Sequence, residues 1–339
     1  MKVREGDFLE TLDGLIFDVK GLVHPPNKTI GFIRYFPDEK GERKRNGKSY
    51  SKIYSLFERY KFLKEHSPKY LVFDKIFDEW LCEVPNNYIK IHYDPIKRLN
   101  ELFCSENLDK LELSALEMAK IIKEEANIPW SSIGVSGSIL VGLHTPKSDI
   151  DLIFYGSKNC RKVYSALKTL LSEKRSLLKT YDLKGLKNLF DFRSKDTLMS
   201  FEDFARVESR KLLQGKFMQT DYYIRFVKDW NEIEERYGDV RYKNVGYGKI
   251  EAMVVDDSES IFTPCTYKIE NVKVVEGPKF KPIKEVASFR GRFCEQARNG
   301  EKIIVQGKIE HVIKRDGTIY YRILVGNKPT DYIIPKIIT

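Results

Sequence analysis

The chain has 339 residues, 42% hydrophobic, 32% charged and 12% aromatic, with a net charge of +10. That is enough apolar material for two or three cores, and it excludes disorder, collagen and coiled coil as the main class. No stretch approaches the roughly 20 apolar residues of a membrane helix. Five scattered cysteines with no Cys-x-x-Cys pair argue against a disulfide framework and a cysteine zinc site. The start, Met1-Lys2-Val3-Arg4-Glu5-Gly6-Asp7, has no apolar signal core, so a cytoplasmic protein with no membrane partner is expected.

Residues 8–11 and 15–19 flank Leu12-Asp13-Gly14 and predict a hairpin. Residues 29–36 read as a further strand and the basic stretch 40–48 as a loop, where Arg43-Lys44-Arg45 reads as a solvated run in preference to a grip on RNA. Ile53, Leu56, Phe57, Tyr60 and Leu63 have helical spacing within 52–65. A second helix is expected over 107–126, capped by Asn107, with Leu111, Ala115, Met118, Ala119 and Ile122 as its apolar stripe. Residues 133–138 read as a short strand running into a turn, 149–155 as a strand and 163–171 as a helix. Mainly helical sequence continues to Leu213, and 217–227 reads as one strand. Beyond Gly246 strands dominate: 250–255, 267–275, 303–313 and, after the turn Arg315-Asp316-Gly317, 318–325. The expected class is α+β. An N-terminal mixed α/β domain (1–105) precedes a central mixed sheet with helices (106–245) and a β-rich, barrel-like domain (246–339).

The chemistry concentrates between Val135 and Leu152. A strand ends in Gly137-Ser138, ten residues follow, and then comes Asp149-Ile150-Asp151-Leu152. In a strand, residues i and i+2 share a face, so the two carboxylates point the same way while Ile150 and Leu152 enter the core. Like charges this close raise each other's pKa unless a cation lies between them. Mg²⁺ takes such carboxylates together with substrate phosphates. Gly137 allows backbone to approach a phosphate, and Ser138 adds a hydroxyl where a helix would start.

This pattern resembles the polymerase-β-like nucleotidyltransferase superfamily: a strand, a Gly-Ser turn, then Asp-apolar-Asp on the next strand. Ser148-Asp149-Ile150-Asp151-Leu152 is especially similar to tRNA CCA-adding enzymes, poly(A) polymerases and minimal nucleotidyltransferases. The resemblance covers about residues 130–228; the remainder is similar to an uncharacterised archaeal-type branch and implies nothing further. What the resemblance implies is a nucleotidyltransferase fold and ATP or another NTP as substrate. It also implies two Mg²⁺ or Mn²⁺ ions and transfer of a nucleoside monophosphate to a hydroxyl acceptor. Asp149 and Asp151 would bridge the ions, and Gly137 and Ser138 would hold the triphosphate. The family's third carboxylate is matched by Asp221 in Thr220-Asp221-Tyr222-Tyr223-Ile224-Arg225, in preference to Asp191, although 70 residues separate it from Asp151.

Arg225 shares the face of Asp221 and is the candidate phosphate contact. Residues 158–228 hold 17 Lys and Arg against 8 Asp and Glu. Arg206, Arg210, Lys211 and Lys216 are accordingly candidates for nucleic-acid binding. His144 reads as a loop histidine in preference to a nucleotide contact, and Tyr320, Tyr321 and Phe289 as packing aromatics in preference to base-stacking ones. An RNA 3′ end suits the basic surface as acceptor. A protein or small-molecule hydroxyl is the alternative, as is a non-catalytic nucleic-acid-binding protein on the same fold.

Overall fold

The turn at Leu12-Asp13-Gly14 joins β1 (Phe8–Thr11) to β2 (Ile16–Val19), with Leu9 opposite Phe17. In the computed structural model, which describes residues 2–196 and 198–336, β3 (Lys28–Pro37) pairs with β2. The basic stretch expected as a loop is instead a hairpin of β4 (Arg43–Arg45) and β5 (Lys48–Lys52). Its turn is Asn46-Gly47, with φ of 50° and 75°, the dipeptide that a two-residue hairpin turn favours. α1 (Leu56–His66) starts later than its apolar spacing suggested, because Ser55 caps it and Glu58 closes the capping box. β6 (Leu71–Asp74), β7 (Glu79–Pro85) and β8 (Ile89–Tyr93) complete a sheet of order β4-β5-β3-β2-β1-β8, with β7 on β3.

α2 (Pro95–Phe103) and α3 (Lys110–Ala126) follow. Asp109, not Asn107, caps α3, since only Asp109 is followed at the third position by a glutamate, Glu112, that can reach back. The expected stripe of α3 is its buried face.

The second sheet begins with β9 (Ile133–Val135), which leads into a four-residue helix, α4 (Gly137–Leu140), and then β10 (Ile150–Tyr155). α5 (Ser157–Ser172) and β11 (Leu178–Lys179) come next. α6 (Leu183–Arg193) and α7 (Phe201–Glu208) intervene before β12 (Gln214–Phe217) and β13 (Thr220–Val227). The single strand expected over 217–227 is thus a hairpin, broken at Met218, whose φ is 51°. The order is β11-β12-β13-β10-β9, and β10 runs parallel to β13.

Packing divides the chain into two units. One takes the chain up to Val72 with Leu81–Thr180 and Leu212–Glu234; the other takes Phe73–Trp80, Tyr181–Lys211 and the chain from Glu235 on. This cuts across the expected borders at 105/106 and 245/246. In the first unit Phe8, Ile16, Tyr35 and Tyr50 of the first sheet share one core with Leu140, Val141 and Leu143 beside the second. In the second unit β14 (Val240–Asp256), β15 (Cys265–Glu276), β16 (Ile283–Ser288), β17 (Lys302–Lys314), β18 (Ile319–Leu324) and β19 (Tyr332–Pro335) form the β-rich part. β14-β15-β16-β18-β17 run in that order, and β17 pairs back to β14, so the strands circle a small barrel. The α+β class with a barrel-like C-terminal part is therefore the observed one. Among the described residues no helix is long and apolar enough to cross a membrane.

Candidate active site

The Gly-Ser turn is pinned over β10. Ser136 donates its N–H to the carbonyl of Asp151 at 2.8 Å and its hydroxyl to the carbonyl of Gly6 at 2.7 Å. Gly137 has a φ of +62°, and a Cβ there would lie 1.9 Å from Oδ2 of Asp151. The glycine is required both by its left-handed backbone and by the carboxylate beside it. Ser138 is buried in the first turn of α4.

Asp149 is exposed just before β10, and Asp151 is half-buried within it, while Ile150 and Leu152 enter the core as alternation requires. Burial first, and Asp149 second, push the Asp151 carboxyl up to about 7, against the pull of Arg225, Lys52 and Arg34. Among the described residues neither carboxylate accepts a hydrogen bond or takes an ion pair. The two carboxylates act on each other electrostatically and are left without protein donors, which is the donor set a hard divalent cation fits.

The facing cations come from the first sheet, where sequence reading placed no site. They are Arg34 of β3, Arg43 of β4 and Lys52 of β5. Burial, with Arg34 and Arg43, lowers the Lys52 ammonium to about 8, although Asp149 and Asp151 act to raise it. Arg43 donates to the Leu143 carbonyl at 2.5 Å, and its Nη1 lies 3.4 Å from the Ser148 hydroxyl, so it anchors the loop that delivers Asp149. The available signal was a lone Arg34 inside an apolar, aromatic strand, the same kind of mark that singled out Asp221.

Arg225 is close enough to lower the Asp151 pKa, but its guanidinium is committed elsewhere. Nη1 pairs with Glu5 at 2.9 Å and lies 3.6 Å from Asp18. Lys20 joins the same network, 2.7 Å from Glu5 and 3.0 Å from Asp18. Burial acts to raise the Asp18 carboxyl, but Lys20, Arg225 and Arg34 outweigh it and hold it at about 2. The strand register gives Asp151 the partner Tyr223 and Ile153 the partner Arg225. Asp221, two residues before Tyr223, therefore shares the Asp151 face. Its side chain is 51% exposed and paired with Lys216 at 2.9 Å. Asp149, Asp151 and Asp221 do not bring ligand atoms within 4.8 Å of one another. Asp191 lies in α6, as a helix residue.

The basic candidates are mostly occupied internally. In the second unit Arg206 pairs with Asp203, and Arg210 with Glu301, its Nη2 at 2.8 Å from Oε2. Lys211 is buried and donates to Glu208 at 2.7 Å and to Gln296 at 2.9 Å. Lys216 lies in the first unit. The charge excess of 158–228 is thus partly an ion-pair framework and not one surface. His144 contacts Asp109 at 2.6 Å, and with Glu112 these residues bring possible ligand atoms within 4.8 Å of one another. Asp109 already caps α3, and Glu112 pairs with Arg98 at 2.6 Å, so the group ties the loop to the helix.

The chain is 38% identical over 335 residues to the uncharacterised protein MJ1086 of Methanocaldococcus jannaschii, covering 96% of each chain, and it belongs to that protein's family. No known protein-family profile and no solved structure matches it.

Proposed function

We propose that the first unit is a metal-dependent nucleotidyltransferase, moving a nucleoside monophosphate from an NTP to a hydroxyl acceptor. The observation that carries this reading is the close approach of the Gly137 turn to Asp151, with Asp149 alongside and Arg34 and Lys52 facing them. Asp149 and Asp151 would hold Mg²⁺ or Mn²⁺, one or two ions, with Asp221 on the same sheet face, and the metal would supply charge neutralisation at the transferring phosphoryl group. Lys52 and Arg34, with no carboxylate partner within 4.0 Å among the described residues, meet the charge of the β- and γ-phosphates. Gly137 keeps the turn open to a phosphate oxygen, and Ser138 holds α4 in the core. Arg225 stiffens the sheet through Glu5 and Asp18 and leaves the phosphate contacts to Arg34 and Lys52. In the transfer the acceptor oxygen bonds the α-phosphorus and the bond to the bridging oxygen breaks. Pyrophosphate leaves, and the hydroxyl proton passes to solvent. The acceptor proposed is an RNA 3′ end in the cytoplasm, a reading supported by the net charge of +10.

Calorimetric titration of ATP and CTP, with and without Mg²⁺, tests the reading. Binding that requires Mg²⁺ and weakens about tenfold or more in Lys52→Met is expected. RNA binding indifferent to metal, with no NTP binding, would support a nucleic-acid-binding module in its place.

A further inference from the structure

A cavity of about 580 Å³ opens in the first unit away from the carboxylate pair, at the other end of α4. Its floor is a closed charge network. Arg45 donates to the Val141 carbonyl at 2.9 Å and to the Tyr93 hydroxyl at 2.7 Å, and pairs with Glu10 at 2.5 Å. The Tyr93 hydroxyl donates to the same Glu10 oxygen at 2.6 Å. These bonds fix the β4–β5 hairpin as a rigid rim and leave Arg45 and Glu10 with no charge to spare.

Three further cations line the cavity from three separate elements: Lys48 of β5, Lys90 of β8 and Lys97 of α2. Lys48 and Lys97 have no carboxylate partner among the described residues. Lys90 has only Glu10 at 3.9 Å, which Arg45 already holds. Asp94 and Glu101 also line the cavity, but Asp94 accepts the Ile96 and Lys97 N–H groups and Glu101 lies 3.6 Å from Arg98, so the lysines are the charges left for an anion. Beside them lies an apolar wall, the exposed side chain of Ile91 and the bare backbone of Gly142. Gly142 carries no side chain, and its φ of +63° disfavours any residue that would add one.

We propose that this cavity binds a phosphorylated organic molecule of nucleoside-monophosphate size. The phosphate meets Lys48, Lys90 and Lys97, and the organic part lies on Ile91 and Gly142. The volume is within the range of pockets that enclose small ligands. The site does not depend on the nucleotidyl-transfer reading, since it shares no residue with the carboxylate pair.

The test is a calorimetric titration of the full chain with AMP, and separately with inorganic phosphate, in EDTA so that metal-dependent binding is absent. Saturable AMP binding is expected, tighter than phosphate, unchanged in Asp151→Asn and weakened about tenfold or more in Lys90→Ala/Lys97→Ala. The lysines are exposed, and circular dichroism checks that the double variant is folded. Absence of AMP binding by the wild type, or binding that survives the lysine substitutions, overturns the proposal. Phosphate binding as tightly as AMP overturns the organic half of it.

Discussion

The backbone of Gly137 stands so close to the Asp151 carboxylate that a Cβ on the glycine would lie 1.9 Å from Oδ2. A glycine-serine turn and a half-buried acid fourteen residues along the chain from the glycine are thereby one feature. The turn limits where the carboxylate can go, and the carboxylate excludes every side chain from the turn.

Gly137→Ala should therefore do two things. The left-handed backbone costs an alanine about 1–2 kcal/mol, and Asp151 must move to make room. Urea unfolding should show a loss of at least that size, and Mg²⁺-dependent NTP binding should fall further than stability does. A variant as stable as wild type would mean that the turn adapts freely.

Asp151→Asn should stabilise the metal-free protein at pH 8. With the carboxyl pushed up to about 7, the native state keeps a proton that the unfolded chain releases near pH 4. Stability therefore falls as pH rises from about 4 to about 7. The asparagine variant lacks that fall. Its melting temperature without metal should exceed that of wild type at pH 8, and the gap should close toward pH 4. A gap that widens on acidification contradicts the sign.

His24 gives a second pH dependence, of opposite sign. Its Nδ1 accepts the Ile30 N–H at 3.3 Å, so Nε2 carries the proton and donates to the Val3 carbonyl at 3.2 Å. Burial lowers the imidazole to about 4. Stability from this group is complete above about pH 6.5 and is lost as pH falls toward 4, by at most about 3 kcal/mol. Denaturation midpoints of wild type and His24→Gln between pH 4 and 8 measure it, and the stability of wild type relative to the variant should fall as pH drops from about 6.5 toward 4.

Arg225→Met leaves Glu5, which is 0% exposed, with Lys20 as its remaining cation. Removing one partner of a buried pair costs about 3 kcal/mol or more. Glu5→Gln in the same background should recover part of the loss. If Arg225 contacts phosphate instead, NTP affinity will fall with little change in stability.

The sequence made the carboxylate pair legible because every part of it is local. Two residues fix the face of Asp149 and Asp151, and one turn brings Gly137 to them. Alternation likewise placed Asp221, Tyr223 and Arg225 on one face. What Arg225 meets could not be read, because Glu5 is 220 residues away in the chain. The cations Arg34, Arg43 and Lys52 were missed for the same reason, and the charges of 40–48 hid the Asn46-Gly47 signal of a hairpin. The net charge of 158–228 misled, since composition counts lysines and arginines without showing that Lys211 is buried against Glu208 and Gln296.

The most direct test of the catalytic reading is incorporation of an NTP labelled at the α-phosphorus. Wild type, Asp149→Asn and Asp151→Asn would be incubated with total RNA, protein and metabolite pools in Mg²⁺. The account predicts label transferred to one pool by wild type, release of pyrophosphate in equal amount, and loss of both in either variant while circular dichroism stays unchanged. Incorporation at the wild-type rate by Asp151→Asn would contradict it.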